Sequence, residues 1–384
     1  MRPLLALLAL VACEESPAAS PEDAFDWDLP EGVAPPPVPA DNPQTAEKVT
    51  LGRFLFYDTR LAINQKRSCG ICHEDRFGFT DSFVRAVGAT NEIHPRNTLS
   101  LTNVGYRAAL TWVDPDLGSL EAQALIPLLG DDPIVELGYG GQEQSLIDLL
   151  RADPLYALDF AAAFPDDPEP VTIENVAKAI AAFERTLISR DSPFDRFNRG
   201  DPDAISPSAR RGAALFFSPA TGCSRCHGGL DLMATTDAQG EIVAEHGYYN
   251  VGLYNVDGLG GYPEGRTGLH ATTGDPADMG AFRAPTLRNV EVSGPYLSDG
   301  TGATLEDVID IFDAGGRVLV DGPNPGDGRA NPFKSPLVRP LNLSPDQKAD
   351  LVAFLKSLTD EGFLENPRLS NPFRNNNNNL SQDP

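Results

Sequence analysis

The sequence predicts a mainly α protein made of two similar halves. Three observations predict it. The pattern Cys-x-x-Cys-His occurs twice, in "SCGICHEDRFGF" (Ser68–Phe79) and in "TGCSRCHGG" (Thr221–Gly229). Each copy follows an amphipathic stretch and is followed, further on, by another stretch of helical periodicity. Alternating strand patterns are sparse between them.

Each half can be justified element by element. In "AEKVTLGRFLFYD", Val49, Phe54 and Phe56 take apolar helix positions ahead of the first motif. "TIENVAKAIAAFERTL" repeats Val176, Ile180, Phe183 and Leu187 at helical spacing and closes the first half. Ser206 caps a helix whose first residue is Pro207 and which runs through "SARRGAALFF" to the second motif. Ser344 and Gln347 form a capping box for "SPDQKADLVAFLKSL", with Leu351, Phe354, Leu355 and Leu358 on one face. The Gly-rich segment from about 236 to 300 is predicted to be irregular and to wrap the second motif.

The motif itself carries chemistry. Cys-x-x-Cys-His is the attachment signal of c-type haem: two thioether bonds fix the porphyrin edge, and the adjacent imidazole falls under the iron. Of five cysteines, Cys69, Cys72, Cys223 and Cys226 are used by the motifs. One zinc site made from the four thiolates is the competing reading, and it leaves the histidine after each pair unexplained. The expectation is therefore two cytochrome c-like domains, 44–195 and 196–372, each with one covalently attached haem c, and with His73 and His227 as iron ligands.

The fifth cysteine lies in "MRPLLALLALVAC". Residues 1–13 have a basic Arg2, a short apolar run and a cleavage box of bacterial lipoprotein type, so Cys13 is the expected lipidation site. Ordinary signal cleavage with an incidental cysteine is the alternative. Export to the periplasm suits c-type haem, and membrane contact would be through a lipid anchor alone. Residues 14–43 read as a Pro-rich flexible tether and 373–384 as a disordered tail. A formal net charge of −25 argues against nucleic acid as a partner; it would steer proteins with basic patches toward this surface, and a simply soluble acidic protein is the equal alternative.

Beyond the motifs, "LGRFLFYDTRL", "HPRNTLSLTNVGY", "TWVDPDLGSLEAQALIPL", "NVGLYNVDGLGGYP" and "FRAPTLRNVEVSGPYLSDGTGATLEDVI" resemble the di-haem cytochrome c peroxidase/MauG superfamily over roughly residues 44–372. The wording is most similar to the MbnH branch, whose members use peroxide to oxidise a partner's tryptophan in copper-related settings. The resemblance implies a periplasmic oxidoreductase that takes hydrogen peroxide at the N-terminal haem, reaches high-valent iron and oxidises a partner protein. The alternatives are a peroxidase fed by a small cytochrome or copper protein and a non-catalytic di-haem electron carrier. Binding of carbon monoxide and a response to peroxide separate the enzymes from the carrier.

The resemblance also implies residue roles. Trp112 would pass an electron hole between the haems, although a core tryptophan with its N–H satisfied is the plainer reading outside that context. Gln123 and Glu136 would form the polar pair over the peroxide-binding face, with Glu136 as general acid–base. Asn97, with the carbonyls of Ser293 and Pro295, would hold a calcium ion between the haems. His94 is open between sixth ligand, pocket residue and surface residue; His246 and His270 read as packing or surface residues. The sequence departs from the superfamily at Phe312, where relatives carry a Tyr or Met ligand to the second iron, and at Ser298, where relatives often carry histidine.

Overall fold

The computed structural model describes residues 25–229, 231–233 and 247–374. Cys13 and His246 lie outside them. Its helices are α1 (Ala46–Tyr57), α2 (Cys69–Cys72), α3 (Leu120–Leu129), α4 (Glu143–Ala152), α5 (Pro154–Ala163), α6 (Ile173–Glu184), α7 (Pro193–Asn198), α8 (Pro207–Phe216), α9 (His270–Thr273), α10 (Leu305–Asp313), α11 (Pro345–Lys356) and α12 (Glu361–Leu364). Strands are few and short. β1 (Tyr248–Asn250) pairs antiparallel with β2 (Ala281–Arg283), with Tyr249 opposite Phe282, and β3 (Val318–Leu319) pairs with β4 (Gly326–Asp327).

The helices begin where side chains satisfy the free N–H groups of the first turn. Thr45 accepts from Lys48 at α1, Thr172 from Asn175 at α6, and Ser206 from Ala209 at α8. At α11 the Ser344–Gln347 capping box forms in both directions.

Two helix pairs organise the molecule. α1 packs on α6, and α8 packs on α11. Both crossings are made at a glycine. A Cβ on Gly52 would stand 1.8 Å from the Ala179 carbonyl oxygen, and one on Gly212 would stand 1.9 Å from that of Asp350. Bare backbone lets the axes approach where any side chain would hold them apart.

The repetition continues past the helices. Asn103 and Asn289 both take the left-handed conformation at φ 58°, which asparagine tolerates better than most residues. The Asn103 N–H donates to Leu187 O, and its side-chain oxygen accepts from the Ser189 N–H. The Asn289 N–H donates to Leu358 O, and its side-chain oxygen accepts from the Asp360 N–H. Each lobe thus ties the segment after its closing helix to an asparagine turn.

Three apolar clusters fill the interior. One is built on α1, α3, α5 and α6, a second on α8, α10 and α11, and a third joins Trp112, Leu253, Tyr254, Tyr262 and Phe282. The end of the chain crosses from the second lobe to the first. Phe363 and Leu369 pack into the first cluster, the Tyr57 hydroxyl donates to Leu369 O (2.8 Å), and Arg374 pairs with Asp75 (2.9 Å). No helix among the described residues is long and apolar enough to cross a membrane.

Candidate di-haem site

The first motif forms one helical turn, α2, directly after α1. The His73 N–H closes the turn on Cys69 O (2.8 Å). Glycine is needed inside the motif, because a Cβ on Gly70 would lie 2.1 Å from the Tyr57 ring. Nδ1 of His73 is 2.9 Å from Phe79 O. A carbonyl can only accept, so Nδ1 carries the proton and Nε2 presents its lone pair. Burial pulls the imidazole pKa down to about 4, which keeps it neutral and fit for a metal. Cys69 and Cys72 form no disulfide, and burial pushes the Cys72 thiol up to about 12.

The second motif repeats this arrangement. Nδ1 of His227 lies 3.1 Å from Pro285 O and 3.3 Å from Leu232 O, and burial again lowers the pKa to about 4. Cys223 and Cys226 form no disulfide and line a largely apolar cavity, with the Tyr249 side chain bonded to Cys226. Leu305, Ile309 and Phe312 of α10, and Leu351 and Leu355 of α11, line that cavity. Phe312 therefore faces the same space as His227 and offers no donor atom. Ser298 is buried in the same wall, its carbonyl accepting from the Asn97 N–H (2.9 Å). Paired thiols, a neutral imidazole with a directed Nε2 and an apolar cavity suit a haem at this place.

The segment Asn97–Ser100 joins the two sites. Leu99 offers a backbone hydrogen bond toward His73, while Asn97, Thr98, Leu99 and Ser100 all line the second cavity. Trp112 lines it as well. Its ring is 8 % exposed, its Nε1–H donates to Asn97 O (2.7 Å), and it meets Phe282 edge-on. The buried Asn97 side chain donates from Nδ2 to the carbonyls of Phe83 and Val84, which turns its oxygen away from that loop. Ser293 and Pro295 line the same cavity. These three residues offer oxygen donors only, a set that suits a hard cation.

Glu136 lies at the first motif. The chain around it docks on the end of α3, with the Leu137 N–H donating to Pro127 O (2.9 Å) and the Tyr139 N–H to Leu128 O (3.0 Å). The Glu136 charge acts on both Cys69 and Cys72. Burial raises its carboxyl pKa, and Arg96 opposes the rise. Gln123, on α3, is half-buried, and its amide makes no hydrogen bond among the described residues. The His94 ring folds back onto the Arg96 backbone, Nδ1 lying 2.9 Å from Arg96 O. His270 bonds to Asp275 O at the surface.

Sequence reasoning passed over four residues. Arg96 stands opposite Glu136, Tyr249 touches Cys226, and Arg107 and Arg283 are buried arginines with unpaired nitrogens. The only sequence signal for Arg283 was its place in "FRAPTLRNV", which says nothing of burial.

Known proteins resemble the chain along most of its length. A family model of di-haem cytochrome c peroxidases matches residues 46–203. The cytochrome-c peroxidase IdrP1 of Denitromonas iodatirespirans is 34% identical across 96% of this chain and 96% of its own length. The methylamine utilization protein MauG of Methylorubrum extorquens is 34% identical across 94% of this chain and 95% of its own. A crystal structure of a MauG-like protein associated with microbial copper homeostasis superposes with a TM-score of 0.87 at 44% identity, covering 91% of this chain and 100% of that one. With two haem motifs set in a helical frame of this kind, the chain belongs to the di-haem cytochrome c peroxidase and MauG family of peroxide-dependent oxidoreductases.

Proposed function

We propose that the protein uses hydrogen peroxide to oxidise a side chain of a partner protein, a tryptophan, in the periplasm. Thioether bonds from Cys69 and Cys72, and from Cys223 and Cys226, hold the two haems, with His73 and His227 as iron ligands. The haems supply the electron transfer and store the oxidising equivalents. Peroxide takes up two electrons and two protons and becomes two waters; the partner's tryptophan gives up those two electrons, and one water adds to the oxidised ring with release of two protons, so the ring gains one oxygen and one water is left over.

The chain's own residues handle protons, orientation and access. The Glu136 carboxylate removes a proton from the nearer peroxide oxygen and delivers it to the departing one. Gln123 orients the peroxide by its free amide. Trp112 carries electrons between the two sites through a ring held rigid by Asn97 and Phe282. Asn97 and the carbonyls of Ser293 and Pro295 hold a calcium ion that stiffens this junction. Cys13 carries the lipid that keeps the enzyme at a membrane; of the expected tether 14–43, Ala34 and Asn42 are instead held on the first lobe, the Ala34 carbonyl accepting from the Tyr106 hydroxyl and the Asn42 amide donating to Lys178 O. The domains are 44–195 and 196–372, the last residues of the second reaching across to pack in the core of the first.

The observation that carries this reading is Trp112, which lines the second cavity while bonded to the segment that reaches His73. The likeness to a structure described as a MauG-like protein associated with microbial copper homeostasis supports a MauG-like activity. Mass spectrometry of candidate partners after treatment with enzyme and peroxide tests it. Peroxide-dependent oxygen addition at a partner tryptophan is expected; unmodified partners beside rapid peroxide turnover with a reduced cytochrome would assign the chain to the peroxidases instead. That second reading is favoured by the relative named cytochrome-c peroxidase. Phe312 weighs against it, because the second site lacks the Met ligand of ordinary peroxidases.

A further inference from the structure

Two arginines lie buried between the haem motifs without a counter-charge of their own. Arg283, on β2, is 1 % exposed. Its Nε donates to Thr111 O (2.8 Å), while Nη1 and Nη2 meet no acceptor among the described residues. It lines the second cavity. Arg107 is 4 % exposed, donates from Nη2 to Thr102 O (2.6 Å), and leaves Nε unpaired. Its charge acts on His73 and on Arg283. The acid whose charge acts on Arg107 is Asp231, which is already bonded to Asn103 and Arg190. Next to Arg283, the half-buried Tyr248 hydroxyl is also unpaired.

Burying a guanidinium without an anion is strongly unfavourable, and placing two of like charge near each other adds to the cost. Burial accordingly pulls Arg107 down to about 9 and Arg283 to about 10. Such a pair is accounted for when the folded protein encloses an anion that the polypeptide does not supply. Each haem brings two carboxylates, and a guanidinium fork matches a carboxylate in shape and charge.

We propose that Arg283 binds a propionate of the C-terminal haem, with Tyr248 beside it, and that Arg107 binds a propionate of the N-terminal haem. Both are positioning residues, and their shared place makes the charge of one haem felt by the other. The inference rests on the di-haem reading, and haem content tests that reading separately: two haems per chain are required of every preparation.

Spectroelectrochemical titration of the holoprotein tests the arginines. Removing a fixed positive charge favours ferric iron, so Arg283→Gln lowers the midpoint potential of the C-terminal haem most and Arg107→Gln that of the N-terminal haem. The corresponding Lys variants restore part of each shift. Unchanged potentials in both Gln variants at full haem content overturn the proposal. Should the Gln variants fail to mature, a crystal structure of the wild-type holoprotein decides it: a propionate oxygen within hydrogen-bond reach of Arg283 Nη1 or Nη2 and another at Arg107 Nε is expected, and propionates directed elsewhere refute it.

Discussion

At Glu136 burial and the Arg96 charge pull in opposite directions, and burial wins, so the carboxyl titrates above its ordinary range. A general base must be ionised to work. Activity therefore rises with pH through this raised pKa and is lost on the acid side. Glu136→Gln is expected to slow the reaction with peroxide by about 10²–10⁴-fold and to abolish the acid limb, as stopped-flow traces across pH would read, with haem content unchanged. An E136Q profile that kept the acid limb would move the base elsewhere. Phe312 makes a different test. It faces the cavity of the second motif with no lone pair, so Phe312→Tyr introduces a donor where none exists. The ferric spectrum of the C-terminal haem should shift toward low spin; no change would mean that position 312 does not face the iron.

Elements meet here through backbone rather than side chains at two places. Gly52 and Gly212 each bring a helix against a carbonyl of its partner at a distance no Cβ tolerates. Alanine would gain about 1 kcal/mol of helix propensity. It would also force α1 from α6, or α8 from α11, and the obstruction is backbone, so no rotamer change relieves it. Gly52→Ala and Gly212→Ala are expected to destabilise by roughly 1–3 kcal/mol net, read as lower thermal midpoints. Helix ends were legible because their chemistry is local: Ser206 before Pro207, and Ser344 three residues before Gln347, are capping signals wherever they occur. The haem motifs were legible for the same reason. The glycine crossings, the paired asparagine turns and the burial of Arg107 and Arg283 depend on residues far apart in the chain, and no window of sequence contains them.

The molecule as a whole carries a formal charge of −25. A basic partner is drawn toward such a field, and the attraction is screened within roughly 8 Å at physiological salt. Turnover of a basic protein substrate should fall steeply as ionic strength rises, while oxidation of an uncharged small donor stays flat. Equal salt dependence for both would place the effect in the haem chemistry instead of in docking. Charge was the one global property readable from composition; which lobe the last residues join was not. The resemblance groups the chain up to residue 372 with the second lobe and leaves 373–384 as a disordered tail, whereas Phe363 and Leu369 sit in the first core, and Phe373 and Arg374 lie against Phe54 and Asp75.

That crossing sets an order of events in biogenesis. The Tyr57 hydroxyl finds its acceptor 312 positions later in the chain, so this contact of the earlier lobe cannot form until nearly all of the described chain has been made. During that interval Cys69 and Cys72, half-buried in the finished protein, stand in a lobe whose last contacts are still unmade. A chain shortened before residue 361 would keep both attachment signals yet be left with an unclosed first core, a ready substrate for proteases.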